Sequence, residues 1–197
     1  MGAIAGTRAR FDRPASRLQT LVVIGVTLAV ITGLAVYFAG ADDGVTSIDL
    51  TSSANAVAPE VGKAPTPFTG LTYDGKTISL SDYAGKPLWL TFGASWCSDC
   101  RIEAPDLEAT YRSFQGQGLN VLAVFINDPR TDIAGYAGRA GLTFPIIADE
   151  NAKIGGAYRL AGLPTHFFIG ADGKVRSIRI GALSKDEMDK YVREILQ

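Results

Sequence analysis

The chain has 197 residues, with 19 Lys and Arg against 20 Asp and Glu, for a formal net charge of -1. This balance argues against a nucleic-acid-binding protein, which would carry a concentrated basic excess. Two cysteines and one histidine are too few for a disulfide-stapled scaffold, a four-cysteine zinc site or a histidine-rich metal centre. The composition therefore predicts one modest globular domain, with no metal and no cofactor, in which two cysteines need a role.

Residues 21–40 begin with a run of 19 residues that carry no charge. As a helix this run would span about 28 Å, close to the ~30 Å hydrocarbon core of a bilayer. Arginines precede it and Asp42 and Asp43 follow it, so the positive-inside rule places residues 1–20 in the cytoplasm. We predict a transmembrane helix that anchors the chain in lipid, with everything after it outside the cytoplasm at the cell membrane.

A cleaved signal peptide is the alternative interpretation of the same segment. Ala39-Gly40-Ala41 fits a small-x-small cleavage pattern, although the apolar run exceeds the usual signal-peptide core. Both interpretations place the rest of the chain outside the cytoplasm.

The remaining sequence predicts a flexible linker at 41–66, rich in Ser, Thr, Ala and Pro, and a compact domain at 67–197. Hydrophobic periodicity and turn residues predict the domain's elements. In chain order these are a hairpin at 68–80, strand 88–92, helix 97–115, strand 120–127, helix 130–140, strand 144–147, helix 151–158, strands 166–169 and 174–180, and a last helix to Leu196 capped by Ser184 and Glu187. This order predicts an α/β fold with one mixed sheet.

Trp96-Cys97-Ser98-Asp99-Cys100 lies where a predicted strand becomes a predicted helix. Cys97 is then at the helix N-terminus, where unpaired backbone N–H groups favour a reactive thiolate. Cys100, one turn later, is close enough to attack a mixed disulfide formed at Cys97, so the pair can cycle between dithiol and disulfide. Half a zinc site and a structural disulfide are the alternatives, but a four-residue ring constrains the unfolded chain little.

The segment FGASWCSDC, with GLPT at 162–165, resembles the thioredoxin superfamily. Together with the predicted anchor and RIEAP at 101–105, it is similar to the TlpA/ResA-like group over residues 60–197. The resemblance implies a thioredoxin-like fold, a central mixed β-sheet flanked by helices, with the hairpin as an N-terminal addition. It also implies that Cys97 attacks a substrate disulfide and that Cys100 resolves the resulting adduct.

Residues around a predicted cis-proline are implied to bind substrate. An X–Pro bond is the only peptide bond for which the cis form costs little. Pro164 would be this cis-proline and would face the disulfide, with Thr165 beside it. From its position, Trp96 is interpreted as a shield over one face of the disulfide that offers an apolar contact surface, with a place in the core as the alternative. The apolar residues around Leu163 are interpreted as the lining of a docking groove.

Glu103 matches an acidic position that the ResA-like group keeps near its active site, which implies that it accepts or relays a proton as Cys100 is activated. A solvated carboxylate balanced by Arg101 is the alternative. Thioredoxins proper have a buried Asp six residues before the first cysteine, where this chain has Thr91, so Glu103 is the candidate substitute. His166 is interpreted as a packed strand residue rather than a catalyst.

Asp99 stands where most relatives have Pro. A carboxylate beside the thiols disfavours the thiolate and makes the pair more reducing. The alternative is that Asp99 only stabilises the helix N-terminus.

The predicted activity is therefore reduction of protein disulfides outside the cytoplasm. The resemblance implies apocytochrome c as one client and a CcdA- or DsbD-like membrane thiol carrier as the electron donor. A disulfide-introducing oxidase uses the same residues in the opposite direction. A thiol peroxidase would need Thr at the position of Ala94, and a non-catalytic binding module would not need the CxxC pair.

Overall fold

The computed structural model describes residues 17–39 and 58–197, and the chain divides into two units. One unit contains helix α1, Arg17–Ala39. In the described part of the chain, no helix combines the length and the hydropathy that crossing a membrane requires. The predicted cytoplasmic segment up to residue 16 and the predicted linker between 41 and 57 lie outside the described residues.

The second unit is built on a five-stranded sheet, as the sequence predicts. Its strands are β3 (Leu88–Gly93), β4 (Asn120–Ile126), β5 (Ile146–Asp149), β6 (Thr165–Ile169) and β7 (Val175–Ile180). The order across the sheet is β5-β4-β3-β6-β7. The first three strands are mutually parallel, whereas β6 and β7 run antiparallel to their neighbours. The predicted thioredoxin-like fold with a mixed sheet is confirmed.

Four helices and a hairpin complete this unit. The helices are α2 (Ser98–Phe114), α3 (Arg130–Ala140), α4 (Lys153–Ala157) and α5 (Lys185–Ile195). The hairpin consists of β1 (Thr69–Leu71) and β2 (Thr77–Ser79), and it joins the edge of the main sheet through a bridge between Thr72 and Ile147.

The alternation of side chains along the strands divides the core into two layers. On β3, Trp89 belongs to a cluster that includes Leu107 of α2 and Met188 of α5. Leu90 belongs to the opposite cluster, which includes Ile154 of α4. The central strand is therefore buried on both faces. The two cysteines lie just beyond its carboxyl end, at the start of α2.

The folded unit includes residues that the sequence assigned to the linker. The backbone N–H of Gly62 donates to the carbonyl of Val175 at 2.8 Å, and the N–H of Val175 donates to the carbonyl of Lys63 at 2.9 Å. These residues therefore extend the pairing of β7 and belong to the domain.

Asp149 is a buried carboxylate at the end of β5 whose titration opposes folding. It accepts hydrogen bonds from the backbone N–H groups of Lys153 and Gly155, each at 2.9 Å. Burial raises the pKa of Asp149 above 3.8, although these backbone donors oppose the shift. Because the pKa of Asp149 is higher in the folded state than in the unfolded state, the protonated form of Asp149 favours folding. This contribution to stability is fully present below the unfolded-state pKa and is lost as the pH rises through the folded-state pKa.

We expect Asp149→Asn to remove this loss of stability with rising pH, because an amide does not ionise. The free energy of unfolding of the wild type, minus that of the variant, should fall as the pH rises from about 3.8 through the folded pKa of Asp149. Denaturant unfolding at a series of pH values measures the difference. A difference that stays constant across the series would contradict the assignment.

Candidate active site

Cys97 and Cys100 form a disulfide at the N-terminus of α2, with their Cα atoms 5.3 Å apart. Cys97 is the N-cap residue, and its sulfur accepts a hydrogen bond from the backbone N–H of Cys100 at 3.2 Å. This N–H group of the first turn therefore points at the Cys97 sulfur. On reduction it stabilises the Cys97 thiolate relative to the thiol, as does the positive end of the helix dipole.

The two sulfur-bearing residues face different environments, although both side chains are mostly buried. Cys97 lines an open groove of about 470 Å³. Cys100 instead lines an interior cavity of about 20 Å³, which Glu103 also lines. A cavity of this size is enough for one water molecule. A substrate in the groove therefore meets Cys97, and a proton acceptor in the interior meets Cys100.

The loop before β6 covers the disulfide. Its Leu163–Pro164 peptide bond is cis, the conformation that the resemblance implies. Leu163 packs against the cluster of Ala94, Cys97 and Cys100, and it lines the groove. The Thr165 side chain is buried, and its hydroxyl donates to the carbonyl of Gly162 at 2.6 Å. The Thr165 side chain therefore holds this loop together, whereas Leu163 faces the groove.

The exposed residues between Trp96 and Cys100 are Trp96, Ser98 and Asp99, and all three line the groove. Trp96 is 55 % exposed, and its indole N–H donates to the carbonyl of Asn127 at 3.2 Å. Asp99 lies in the first turn of α2 and lines the same groove. The hydrogen bond to Asn127 thus fixes the indole at the groove, which Asp99 also lines.

Glu103 is buried, so the interpretation as a solvated carboxylate balanced by Arg101 is wrong. Its Oε2 accepts a hydrogen bond from the backbone N–H of Leu183 at 3.1 Å. The same oxygen lies 3.4 Å from Nε2 of His166, which is itself fully buried. His166 is a packed strand residue, as predicted, but the sequence did not indicate that it contacts Glu103.

The sequence reasoning missed Asp128. This buried carboxylate accepts hydrogen bonds from the backbone N–H of Ser95 at 2.5 Å and from its hydroxyl at 2.9 Å. Ser95 follows β3, and Asp128 follows β4. Because β3 and β4 are parallel neighbours, the loops at their carboxyl ends lie together. Pairing these two strands from the sequence would have found the contact.

Tyr136 of α3 also reaches the active site. Its hydroxyl donates to the carbonyl of Cys100 at 3.4 Å. Burial raises the pKa of Tyr136, and the nearby charge of Glu103 raises it further. The phenol therefore stays protonated at neutral pH. Within residues 17–39 and 58–197, no three His, Cys, Asp or Glu side chains form a cluster able to hold a metal ion.

The chain is similar in sequence and fold to known proteins. The AhpC/TSA family matches residues 61–178. The thiol-disulfide oxidoreductase ResA of Geobacillus thermodenitrificans is 35% identical over 138 residues, which cover 70% of this chain and 79% of that protein. ResA of Bacillus subtilis is 31% identical over 122 residues, which cover 62% of this chain and 68% of that protein. The crystal structure of a thioredoxin-family thiol:disulfide interchange protein from Chlorobium tepidum has a TM-score of 0.63 and 28% identity, covering 72% of this chain and all of that one.

The thioredoxin-like sheet and a cysteine pair at a helix N-terminus define the class of thiol–disulfide oxidoreductases. The match over residues 61–178 places the chain in the AhpC/TSA family. Within that family its relatives are thiol-disulfide oxidoreductases of the ResA type.

Proposed function

We propose that this enzyme reduces disulfides of protein clients. The observation that carries the proposal is the division of the active site into two environments. Cys97 lines the open groove, whereas Cys100 and Glu103 line the interior cavity. A disulfide exchanger that acts on a large substrate needs one accessible nucleophile and one sheltered resolving thiol.

In the proposed reaction, the Cys97 thiolate attacks one sulfur of the client disulfide. A bond forms between Cys97 and that sulfur, and the other client sulfur leaves as a thiolate. Cys100 loses its proton to the interior and attacks the Cys97 sulfur. The Cys97–Cys100 disulfide forms, and the client leaves with two electrons and two reduced sulfurs. A dithiol donor must then reduce the enzyme again.

One carboxylate supports the reducing direction. Asp99 lies in the first turn of α2 and lines the groove together with Cys97. Negative charge near the sulfurs disfavours thiolates, and a dithiol whose thiolates are disfavoured gives up its electrons more readily. The backbone N–H of Cys100, which donates to the Cys97 sulfur, acts in the opposite sense, and the reduction potential reports the net effect of the two.

The reduction potential of the Cys97–Cys100 pair tests this direction. We expect a value at or below about −220 mV for the full-length protein, measured by equilibration in redox buffers and alkylation of free thiols. As a matched variant, Asp99→Asn should raise the potential by about 10–20 mV, because it removes a charge that opposes the thiolate.

A potential near about −120 mV would instead identify an enzyme that introduces disulfides, and the reductase proposal would fall. An unchanged potential in Asp99→Asn would mean that this carboxylate only stabilises the helix.

We also propose that residues 21–40 tether the enzyme to the cell membrane, with the catalytic domain on the extracytoplasmic side. The uncharged run and the arginines before it support this placement. Outside the cytoplasm no glutathione pool supplies electrons, so a membrane thiol carrier of the CcdA or DsbD kind is the proposed donor. Apocytochrome c, whose heme-binding cysteines must be reduced, is the proposed client.

A further inference from the structure

A buried polar chain runs beneath the disulfide, from β3 through β6 to α2. Thr91 and His166 are directly opposite each other in the antiparallel pair of β3 and β6. Nδ1 of His166 lies 3.0 Å from the hydroxyl of Thr91 and 3.3 Å from Nε1 of Trp89. On the other side of the ring, Nε2 faces the Oε2 atom of Glu103 at 3.4 Å. His166 thus joins the residue six positions before Cys97 to the carboxylate three positions after Cys100.

Trp89 determines which nitrogen of His166 carries the proton. An indole N–H is a donor only, so Nδ1 of His166 must accept from it. A neutral imidazole that accepts at Nδ1 carries its hydrogen on Nε2. An imidazolium also carries a hydrogen on Nδ1, and this N–H would point at the indole N–H of Trp89, so that two donors would face each other. The indole of Trp89 therefore selects the Nε2–H tautomer, in which the Nε2–H points at Glu103, and the Thr91 hydroxyl is compatible with it because a hydroxyl can donate to Nδ1.

The contact between His166 and Glu103 is long for a hydrogen bond. Among the described residues, Nε2 has no partner with hydrogen-bond geometry, although it is fully buried. The carboxylate of Glu103 lies in front of it and, in the described part of the chain, receives one well-formed bond, from the backbone N–H of Leu183. A buried carboxylate is costly without donors, so the Nε2–H group gives Glu103 a second polar contact and fixes the direction of its Oε2 atom.

We propose that His166 is a positioning residue whose Nε2–H group orients the Glu103 carboxylate to accept the Cys100 proton. This inference rests on the proposed disulfide exchange. Cys100 and Glu103 are three residues apart on α2, and both line the cavity that is large enough for one water molecule. The proton of the Cys100 thiol passes to the Glu103 carboxylate, directly or through that water. His166 keeps its own proton throughout.

Other titratable groups near the pair come from three elements. Tyr136 of α3 stays a protonated phenol, and Arg101 of α2 is exposed. Arg179 of β7 is opposite His166 in the sheet, but its guanidinium lies over the ring of Tyr191. None of these groups replaces His166 as a donor to Glu103 in the described contacts.

The protonation state of His166 can be read directly, because it is the only histidine in the chain. In full-length protein labelled with ¹⁵N-histidine, imidazole ¹⁵N chemical shifts at pH 7 should report Nε2–H and unprotonated Nδ1. In Trp89→Phe, which removes the indole N–H, the Nδ1–H tautomer or the imidazolium should become populated. An Nδ1–H tautomer or an imidazolium in the wild type at pH 7 would overturn the proposal.

The effect on Cys100 needs a second measurement, the pH dependence of its alkylation rate in Cys97→Ser protein. His166→Phe keeps a ring of similar volume without a donor, and we expect it to slow alkylation near pH 7 about tenfold. His166→Gln, whose side-chain amide can still donate to Glu103, should restore the rate to within about threefold of the parent. A merely structural role would not move the pH profile of a variant that folds normally.

A folded His166→Phe protein whose profile coincides with that of its parent would overturn the proposal. If His166→Phe does not fold, Glu103→Gln in the same background decides, because it must slow alkylation to a similar extent and an unchanged profile overturns the proposal. Neither readout depends on the direction of electron flow. The reductase proposal can therefore fail on its potential while this inference stands, and the reverse also holds.

Discussion

Replacement of each cysteine by serine should abolish turnover in two different ways. We expect Cys97→Ser to lower the rate of client-disulfide reduction to the uncatalysed background, because the groove then holds no nucleophile. Cys100→Ser should also fail to turn over, but it should accumulate a stable mixed disulfide with the client at Cys97, because no resolving thiol remains. The initial rate of reduction of a peptide with a CxxC disulfide measures turnover, and intact-protein mass spectrometry measures the adduct.

Ser113→Ala is a suitable control for these variants. Ser113 is an exposed residue on α2, and among the described residues its hydroxyl bonds only to the carbonyl of Ala109 in the preceding turn. The control should therefore reduce the peptide within about twofold of the wild-type rate, as substitutions at exposed positions usually have small effects. Adduct formation by Cys97→Ser, together with none by Cys100→Ser, would reverse the assigned roles and contradict the geometry of the groove.

Local patterns were sufficient to predict most of the fold. Cys97 lies at the start of α2, and Ser184 and Glu187 form the predicted capping box of α5. The errors lie at element ends. The strand predicted at 144–147 is observed as β5, Ile146–Asp149. Pro145 has no N–H to donate, and regular pairing with β4 begins at Ile146.

The helix predicted at 151–158 is shorter than the pattern indicated, because Ala152 adopts the left-handed conformation and α4 begins only at Lys153. Periodicity reports which residues are buried, but it does not report where the backbone leaves the helical region. Boundaries of this kind depend on contacts with the sheet.

Some contacts of the active site could likewise be predicted from local sequence, whereas others depend on which strands are neighbours in the sheet. The CxxC pair and the loop at 162–165 follow from short motifs, whereas the polar groups beneath and beside the disulfide come together only through strand pairing. His166 meets Glu103 because β6 lies beside β3. Asp128 meets Ser95 because β4 lies on the other side of β3. No spacing in the sequence indicates either contact.

Asp128 is the residue outside the cysteine pair whose loss should have the largest effect on activity. Its carboxylate holds Ser95, two residues before Cys97, and the preceding residue, Asn127, accepts the indole N–H of Trp96. Asp128→Ala leaves the backbone N–H of Ser95 without an acceptor. We expect the free energy of unfolding to fall by about 3 kcal/mol, since bonds to a charged acceptor are among the stronger ones.

We expect Asp128→Ala also to lower the rate of client reduction about a hundredfold, because a displacement of about 1 Å at a nucleophile has an effect of this size. Asp128→Asn is the matched variant. Its side chain can still accept from the N–H of Ser95 and donate to the hydroxyl, so it should retain most of the activity and lose about 1 kcal/mol. Denaturant unfolding and the peptide assay measure the two effects. Equal activity in folded Asp128→Ala and Asp128→Asn would show that Cys97 holds its position without this carboxylate, and the helix N-terminus alone would then account for its placement.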